Sequence, residues 1–157
     1  MNFDLSEEHK AVQEAAKSFA ESECKPGVIE RDRDQIVGFE QLKQLGELGF
    51  MGMMVDPKYG GSGMDTLSYV LAIEEISKID ASISVAMSVN NSLVCWGLEN
   101  FGSEDQKQKY QKLTITQEVQ KQMQSPHFPL LILLYPTIQQ KVAKHQIKRI
   151  LEILSLQ

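Results

Sequence analysis

Two adjacent carboxylates, three histidines, two cysteines and one glycine-rich stretch are the groups in this chain whose chemistry could serve catalysis or binding. Glu74 and Glu75 would have to converge on one point to work as general acid and base. Neighbouring residues of a helix point about 100° apart, so the pair reads as a solvated face. His9, His127 and His145 have no carboxylate or cysteine at ligand spacing, and no metal centre is expected. Cys24 and Cys95 are far apart and match no disulfide framework. Cys95, beside Trp96 in an apolar stretch, has no basic neighbour to favour a thiolate, so both read as reduced, buried thiols. Tyr59-Gly60-Gly61-Ser62-Gly63 has the composition of a phosphate cradle, which needs a strand before it and a helix N-terminus after it. Only the helix is foreseen, and the stretch reads as a glycine-dependent turn between helices. Met51, Met53 and Met54 read as core packing rather than as an adaptable binding surface.

The elements that must position these groups are helical. Ser6 before Glu7 and Glu8 suits an N-cap, followed by Val12, Ala15, Ala16, Phe19 and Ala20 at helical spacing until Pro26. Val28 to Asp34 predicts a short surface helix, and Phe39, Leu42, Leu45 and Leu48 a second periodic face. Residues 51–63 hold too much glycine and proline for an element interior. Asp65 caps a helix carrying Leu67, Val70, Leu71, Ile73 and Ile76. A long apolar helix from about Ala81 to Phe101 has little polar face, which predicts a central buried element. Ser103-Glu104-Asp105-Gln106 has the capping-box form and opens a helix through Tyr110. No alternating period-2 runs are present. The expected fold is all-α, a bundle over residues 6–110 with Phe19, Leu42, Leu45, Val70, Leu71, Ile76, Val85, Met87, Leu93 and Trp96 largely buried.

The chain changes character after Leu113. Residues 1–113 hold all ten glycines, whereas residues 114–157 hold neither glycine nor aspartate and are rich in glutamine. This tail is net basic, with Lys121, Lys141, Lys144, Lys148 and Arg149 against Glu118 and Glu152. Within it, Ala143, Ile147, Ile150, Leu151 and Leu154 fall on one face of an amphipathic helix at 137–154. A formal charge of −5 argues against a nucleic-acid binder, which needs a basic stripe. The run Leu130 to Tyr135 falls far short of the roughly 20 residues of a membrane span, and MNFDLSEE carries no targeting signature. A cytoplasmic location is expected.

Four stretches give residues 1–113 a family resemblance: Phe3-Asp4-Leu5-Ser6-Glu7-Glu8; Leu45-Gly46-Glu47-Leu48-Gly49-Phe50; Pro57-Lys58-Tyr59-Gly60-Gly61-Ser62-Gly63; and Phe101-Gly102-Ser103-Glu104-Asp105-Gln106-Lys107-Gln108-Lys109-Tyr110. In this order and at these separations they resemble the N-terminal helical domain of the acyl-CoA dehydrogenases, nearest the short-chain (butyryl-CoA) type. The resemblance implies a homotetrameric three-domain flavoenzyme that binds FAD and oxidises the α–β bond of an acyl-CoA thioester. A glutamate of the C-terminal domain takes the α-proton and the flavin takes the hydride. The N-terminal domain packs against the other two and lends its long fourth helix to the acyl pocket. By that resemblance Val85, Val89, Asn90 and Leu93 are this chain's acyl-facing positions.

The tail departs from the pattern. Nothing in residues 114–157 matches the middle-domain stretch Thr/Ser-Glu-Pro-x-Ala-Gly-Ser-Asp that contacts flavin and substrate in the family. The expectations are therefore a poorly integrated tail, no catalytic or FAD-binding residue in this chain alone, and no tetramer. The leading reading is the N-terminal domain of an acyl-CoA dehydrogenase, ended early by a frame change near codon 113 and inactive alone. The alternative is a helical interaction or acyl-binding module without redox chemistry.

Overall fold

A computed structural model describes residues 4–116 of the chain, with side chains through residue 111. It contains seven α-helices among the described residues and no strand. They are α1 (Glu7–Phe19), α2 (Val28–Arg33), α3 (Phe39–Glu47), α4 (Thr66–Ser77), α5 (Ala81–Val89), α6 (Trp96–Phe101) and α7 (Glu104–Thr116). Two π-helical segments extend this set. Ala20–Cys24 continues α1, and Asn90–Cys95 joins α5 to α6 into one unbroken rod.

The caps explain where the helices begin. Ser6 Oγ accepts from His9 N–H at 3.2 Å, Asp65 Oδ1 from Ser68 N–H at 2.8 Å and Asp80 Oδ1 from Ile83 N–H at 3.0 Å. Each satisfies an amide that a helix start leaves free. At α7 both arms of the capping box form: Ser103 N–H to Gln106 Oε1 and Gln106 N–H to Ser103 Oγ. α7 runs to Thr116, beyond the Tyr110 end expected from the sequence.

α1 lies along α4, and α4 along α5. Ala16, Phe19, Leu45, Phe50, Met51, Met53, Ile76, Ile83 and Met87 form the core between them. Cys24 and Cys95 are free and buried, as read from the sequence. The expected core is corrected at four positions: Val70, Val85, Leu93 and Trp96 are 49%, 61%, 45% and 45% exposed. The rod from Ala81 to Phe101 buries one side only, through Ile83, Met87, Asn91, Cys95 and Leu98. Its opposite side is also apolar, so the missing polar face signalled two apolar sides rather than total burial. In α4 the buried side falls to Ser68, Leu71, Ala72, Glu75 and Ile76, which turns Val70 outward.

Glu74 and Glu75 also part company. Glu74 is exposed as expected, but Glu75 is buried. Its Oε1 accepts from Gln13 Nε2 at 2.8 Å and Lys78 Nζ at 2.9 Å. A buried carboxylate is tolerable with such partners, and Lys78 first, then Gln13, holds its pKa below the usual range. The expected tail helix at 137–154 lies outside the described residues.

Low pH should unfold this domain through its carboxylates. Asp65 is held at about 2, first by the Ser68 N–H bond and then by His9, and Glu75 is lowered too. A depressed folded pKa adds stability above the unfolded value, and that stability is lost as pH falls through the folded one. Urea midpoints should therefore hold steady above the ordinary carboxylate range and fall steadily toward pH 2. Asp65→Asn should lose less over that interval than the parent chain.

Candidate functional site

The rod α5–π–α6 is fixed to the rest of the domain by its side-chain amides. Asn91, 2% exposed, accepts from Met53 N–H at 2.9 Å and donates to Phe50 O at 2.8 Å and Met87 O at 3.0 Å. Asn90 donates from Nδ2 to Met51 O at 2.6 Å, and the Cys95 thiol reaches the same carbonyl at 3.7 Å. From the far side Gln111 of α7 donates to Cys95 O at 3.3 Å. Two consecutive asparagines therefore serve one turn, Phe50–Gly52 and its neighbour Met53.

That turn is closed by the glycine-rich stretch. Ser62 N–H donates to Gly52 O, Gly63 N–H to Val55 O and Met64 N–H to Met53 O, at 2.7–3.0 Å. Gly60 N–H is bonded to Pro57 O. The stretch spends these amides on the chain's own carbonyls, which supports the inter-helix turn over the phosphate cradle. Gly61 is required by proximity, since a Cβ there would collide with the Val55 carbonyl. Gly60, at φ +90°, is required by conformation. Tyr59 Oη donates to Glu104 at 2.8 Å and Asp56 N–H to Glu99 at 3.3 Å, tying the far end of the turn to α7 and α6.

The N-terminal end of the rod is held by Arg31. Its guanidinium donates to Asp80 Oδ2 at 3.0 Å and to the carbonyls of Cys24 and Pro26. A cavity of about 600 Å³ opens here between α2 and the start of α5. Arg31 and Asp80 in its wall are committed to each other, leaving Ile29, Ile36 and Val37 as its outward apolar lining. Burial first, then nearby Asp80, pushes the Cys24 thiol up to about 12, the opposite of what a nucleophilic cysteine needs.

Of the four site residues expected from the sequence, Val85, Val89 and Leu93 share the outward side of the rod and Trp96 continues the line. Asn90 is set apart from them, its amide donating inward to Met51 O. Sequence reasoning missed Asn91 and Gln111, which read as ordinary polar residues in the sequence. It also missed the Arg31–Asp80 pair, which no spacing rule joins. His9 Nε2 lies 2.9 Å from Asp65 Oδ2. No group of three or more potential metal ligands occurs among the described residues, and no described helix is long and apolar enough to cross a membrane.

The family model described as "Acyl-CoA dehydrogenase, N-terminal domain" matches residues 6–118. The short-chain specific acyl-CoA dehydrogenase of Clostridium acetobutylicum is 39% identical over 110 residues, 70% of this chain and 29% of that protein. Butyryl-CoA dehydrogenase from Megasphaera elsdenii superposes with a TM-score of 0.69 at 36% identity, over 74% of this chain and 31% of its own. An acyl-CoA dehydrogenase complexed with FAD, from Bacillus anthracis, superposes at 0.64 and 30% identity over 72% of this chain and 19% of its own. The chain belongs to the acyl-CoA dehydrogenase family and carries its N-terminal helical domain. It spans less than a third of the length of these relatives.

The two glycines give distinguishable predictions. Gly61→Ala pushes a methyl into backbone and should cost about 3 kcal/mol in urea unfolding. Gly60→Ala meets open space and should cost only roughly 1 kcal/mol, for its left-handed backbone. Equal losses would contradict the close approach at Val55.

Proposed function

We propose that this domain supplies the acyl-facing wall of an FAD-dependent dehydrogenase that oxidises the α–β bond of a short-chain acyl-CoA. Val85, Val89 and Leu93 meet the acyl chain, and Asn90, by bonding Met51 O, holds the π turn that presents them. The observation that carries this reading is a row of apolar side chains kept outward on a rod whose other side is fully engaged in the core. A family member with short-chain relatives has a use for such a surface, because an alkyl chain gains about 0.8 kcal/mol per buried methylene.

The described residues do not fit the flavin itself. The glycine-rich amides Gly60, Ser62 and Gly63 are spent on internal carbonyls, and Arg31 is spent on Asp80, so neither offers a diphosphate anchor. The carboxylates near the rod are committed as well: Glu99 to the Asp56 amide and Glu104 to the Tyr59 hydroxyl. No proton-transfer step is assigned to them. The domain's contribution is positional: it orients the acyl chain and excludes water from its path. Alone, the chain has no dehydrogenase activity. A second reading, a helical interaction or acyl-binding module, is favoured by the same exposed row if the domain works without flavin.

Purified chain with FAD, butyryl-CoA and an artificial electron acceptor should show no turnover above buffer. Residues 6–113 should, however, restore turnover when they replace the matching segment of the Clostridium acetobutylicum enzyme. In that chimera Val89→Trp should lower kcat/KM for butyryl-CoA about tenfold or more, given the 1–3 kcal/mol cost of overpacking. Val70→Trp, exposed on α4, should leave it unchanged. Equal behaviour of the two variants in a flavin-loaded chimera would remove the acyl-wall reading. Butyryl-CoA binding to the chain without flavin would favour the second.

A further inference from the structure

Residues 25–37 stand apart from the rest of the domain. Cys24 before them and Gly38 after them are buried, whereas none of the residues between is, and only Val28 and Arg31 are even half-buried. The segment arches over the cavity of about 600 Å³, to which it lends Ile29, Ile36 and Val37 while the bundle lends Ile79, Ala81 and Ser82. Ile29 is 75% exposed and Ile36 58%, so hydrophobic burial does little to hold the segment down. Left-handed backbone flanks its helix α2 on both sides: Gly27 at φ +71° and Gln35 at φ +56°, the latter uncommon for a residue with a side chain. Among the described residues, the segment's side chains reach beyond it by hydrogen bonds at Arg31 alone, which donates to Asp80 Oδ2 at 3.0 Å and to Cys24 O. We propose that residues 25–37 are a strap that lifts off the bundle as a unit when Arg31 releases Asp80, uncovering Cys24 while the helices behind it stay folded.

The energetics of the latch favour release without general unfolding. Arg31 and Asp80 attract strongly where both are dry, their side chains being 17% and 5% exposed, but opening returns both ions to water, which offsets much of the attraction lost. Asp80 keeps its second bond, from Ile83 N–H, so the start of α5 stays capped when the strap lifts. Gly38 fixes where the movement stops. A Cβ there would stand 2.9 Å from Ile83 Cδ1 and 2.7 Å from Gln41 Oε1, so this backbone is seated tightly on α5 and α3. At the other end Lys25 N–H bonds Ala20 O, tying the first residue of the strap to the π turn that closes α1. Cys24 lies at that junction. Burial first, then Asp80, holds its thiol up at about 12, against the opposing charge of Arg31. With the strap raised and water admitted, the thiol returns to the ordinary value of roughly 8.5. Opening thus turns an inert thiol into one that electrophiles reach. None of these residues belongs to the outward row on the rod, so the strap does not depend on the acyl-wall reading.

The chain's two cysteines, both free and buried, make the test internal. The full chain is alkylated with N-ethylmaleimide at neutral pH, without urea and in sub-denaturing urea, and labelling of Cys24 and Cys95 is read separately by peptide mass spectrometry. A strap that opens alone predicts faster labelling of Cys24, at a rate almost independent of urea. Cys95, 1% exposed on the rod, waits for global unfolding and accelerates with urea. Arg31→Met/Asp80→Asn removes the latch but leaves an asparagine, an equally good cap, at the start of α5. It should raise the labelling of Cys24 relative to Cys95 at least about tenfold. Equal rates and equal urea dependence at the two cysteines of the parent chain overturn the proposal. So does a variant that labels Cys24 no faster than the parent, or that speeds both cysteines by the same factor, because the pair then holds the whole bundle rather than the strap.

Discussion

The orientation of the long rod depends on one primary amide. Asn91 offers two donors and one acceptor oxygen, and the fold uses all three on backbone groups that have no solvent to turn to. Two of those groups belong to the turn at Phe50–Met53 and one to the preceding helical turn of the rod. The amide thus replaces the strand pairing that would otherwise satisfy a buried turn. Everything packed on the turn inherits its position from this residue: Met51 and Met53 in the main core, α7 through Gln111, and the outward face of the rod. Removing one partner of such a set exposes buried amides and carbonyls to desolvation without compensation, which costs more than any one hydrogen bond contributes.

The π geometry of Asn90–Cys95 serves the same arrangement. Asn91 and Cys95, four residues apart, both face inward while Leu93, between them, stays out. The segment is where local propensity yields to the demands of the contact with Phe50–Met53.

Much of this was legible from residue order, and the reasons divide cleanly. Caps are local chemistry, so Ser6, Asp65 and the Ser103–Gln106 pair announced their helices. The glycine-rich stretch announced a turn because no other residue tolerates such backbone and such proximity. What failed was inference from an absent polar face. Val85, Leu93 and Trp96 are as apolar as the core, and only the three-dimensional placement of Ile83, Met87 and Asn91 shows which side is inside. Glu75 failed for the converse reason: Lys78 stands three residues away at the end of its own helix, but Gln13 comes from α1, and a pairing across 62 residues leaves no trace in spacing. The family resemblance named Val85, Val89, Asn90 and Leu93 as acyl-facing, whereas Asn91 and Gln111 were not singled out, since an amide side chain in a sequence does not declare its partners.

Arg31 and Asp80 are separated by 49 residues, and closing a loop of that length costs on the order of 3–4 kcal/mol of chain entropy. During synthesis the first three helices therefore emerge before the carboxylate that Arg31 pairs with in the folded domain. The end of α1, all of α2 and the start of α5 become fixed together when that carboxylate arrives. The N-terminal third of the domain is thus a dependent of its middle, and a nascent chain halted before residue 80 has no way to complete its own corner.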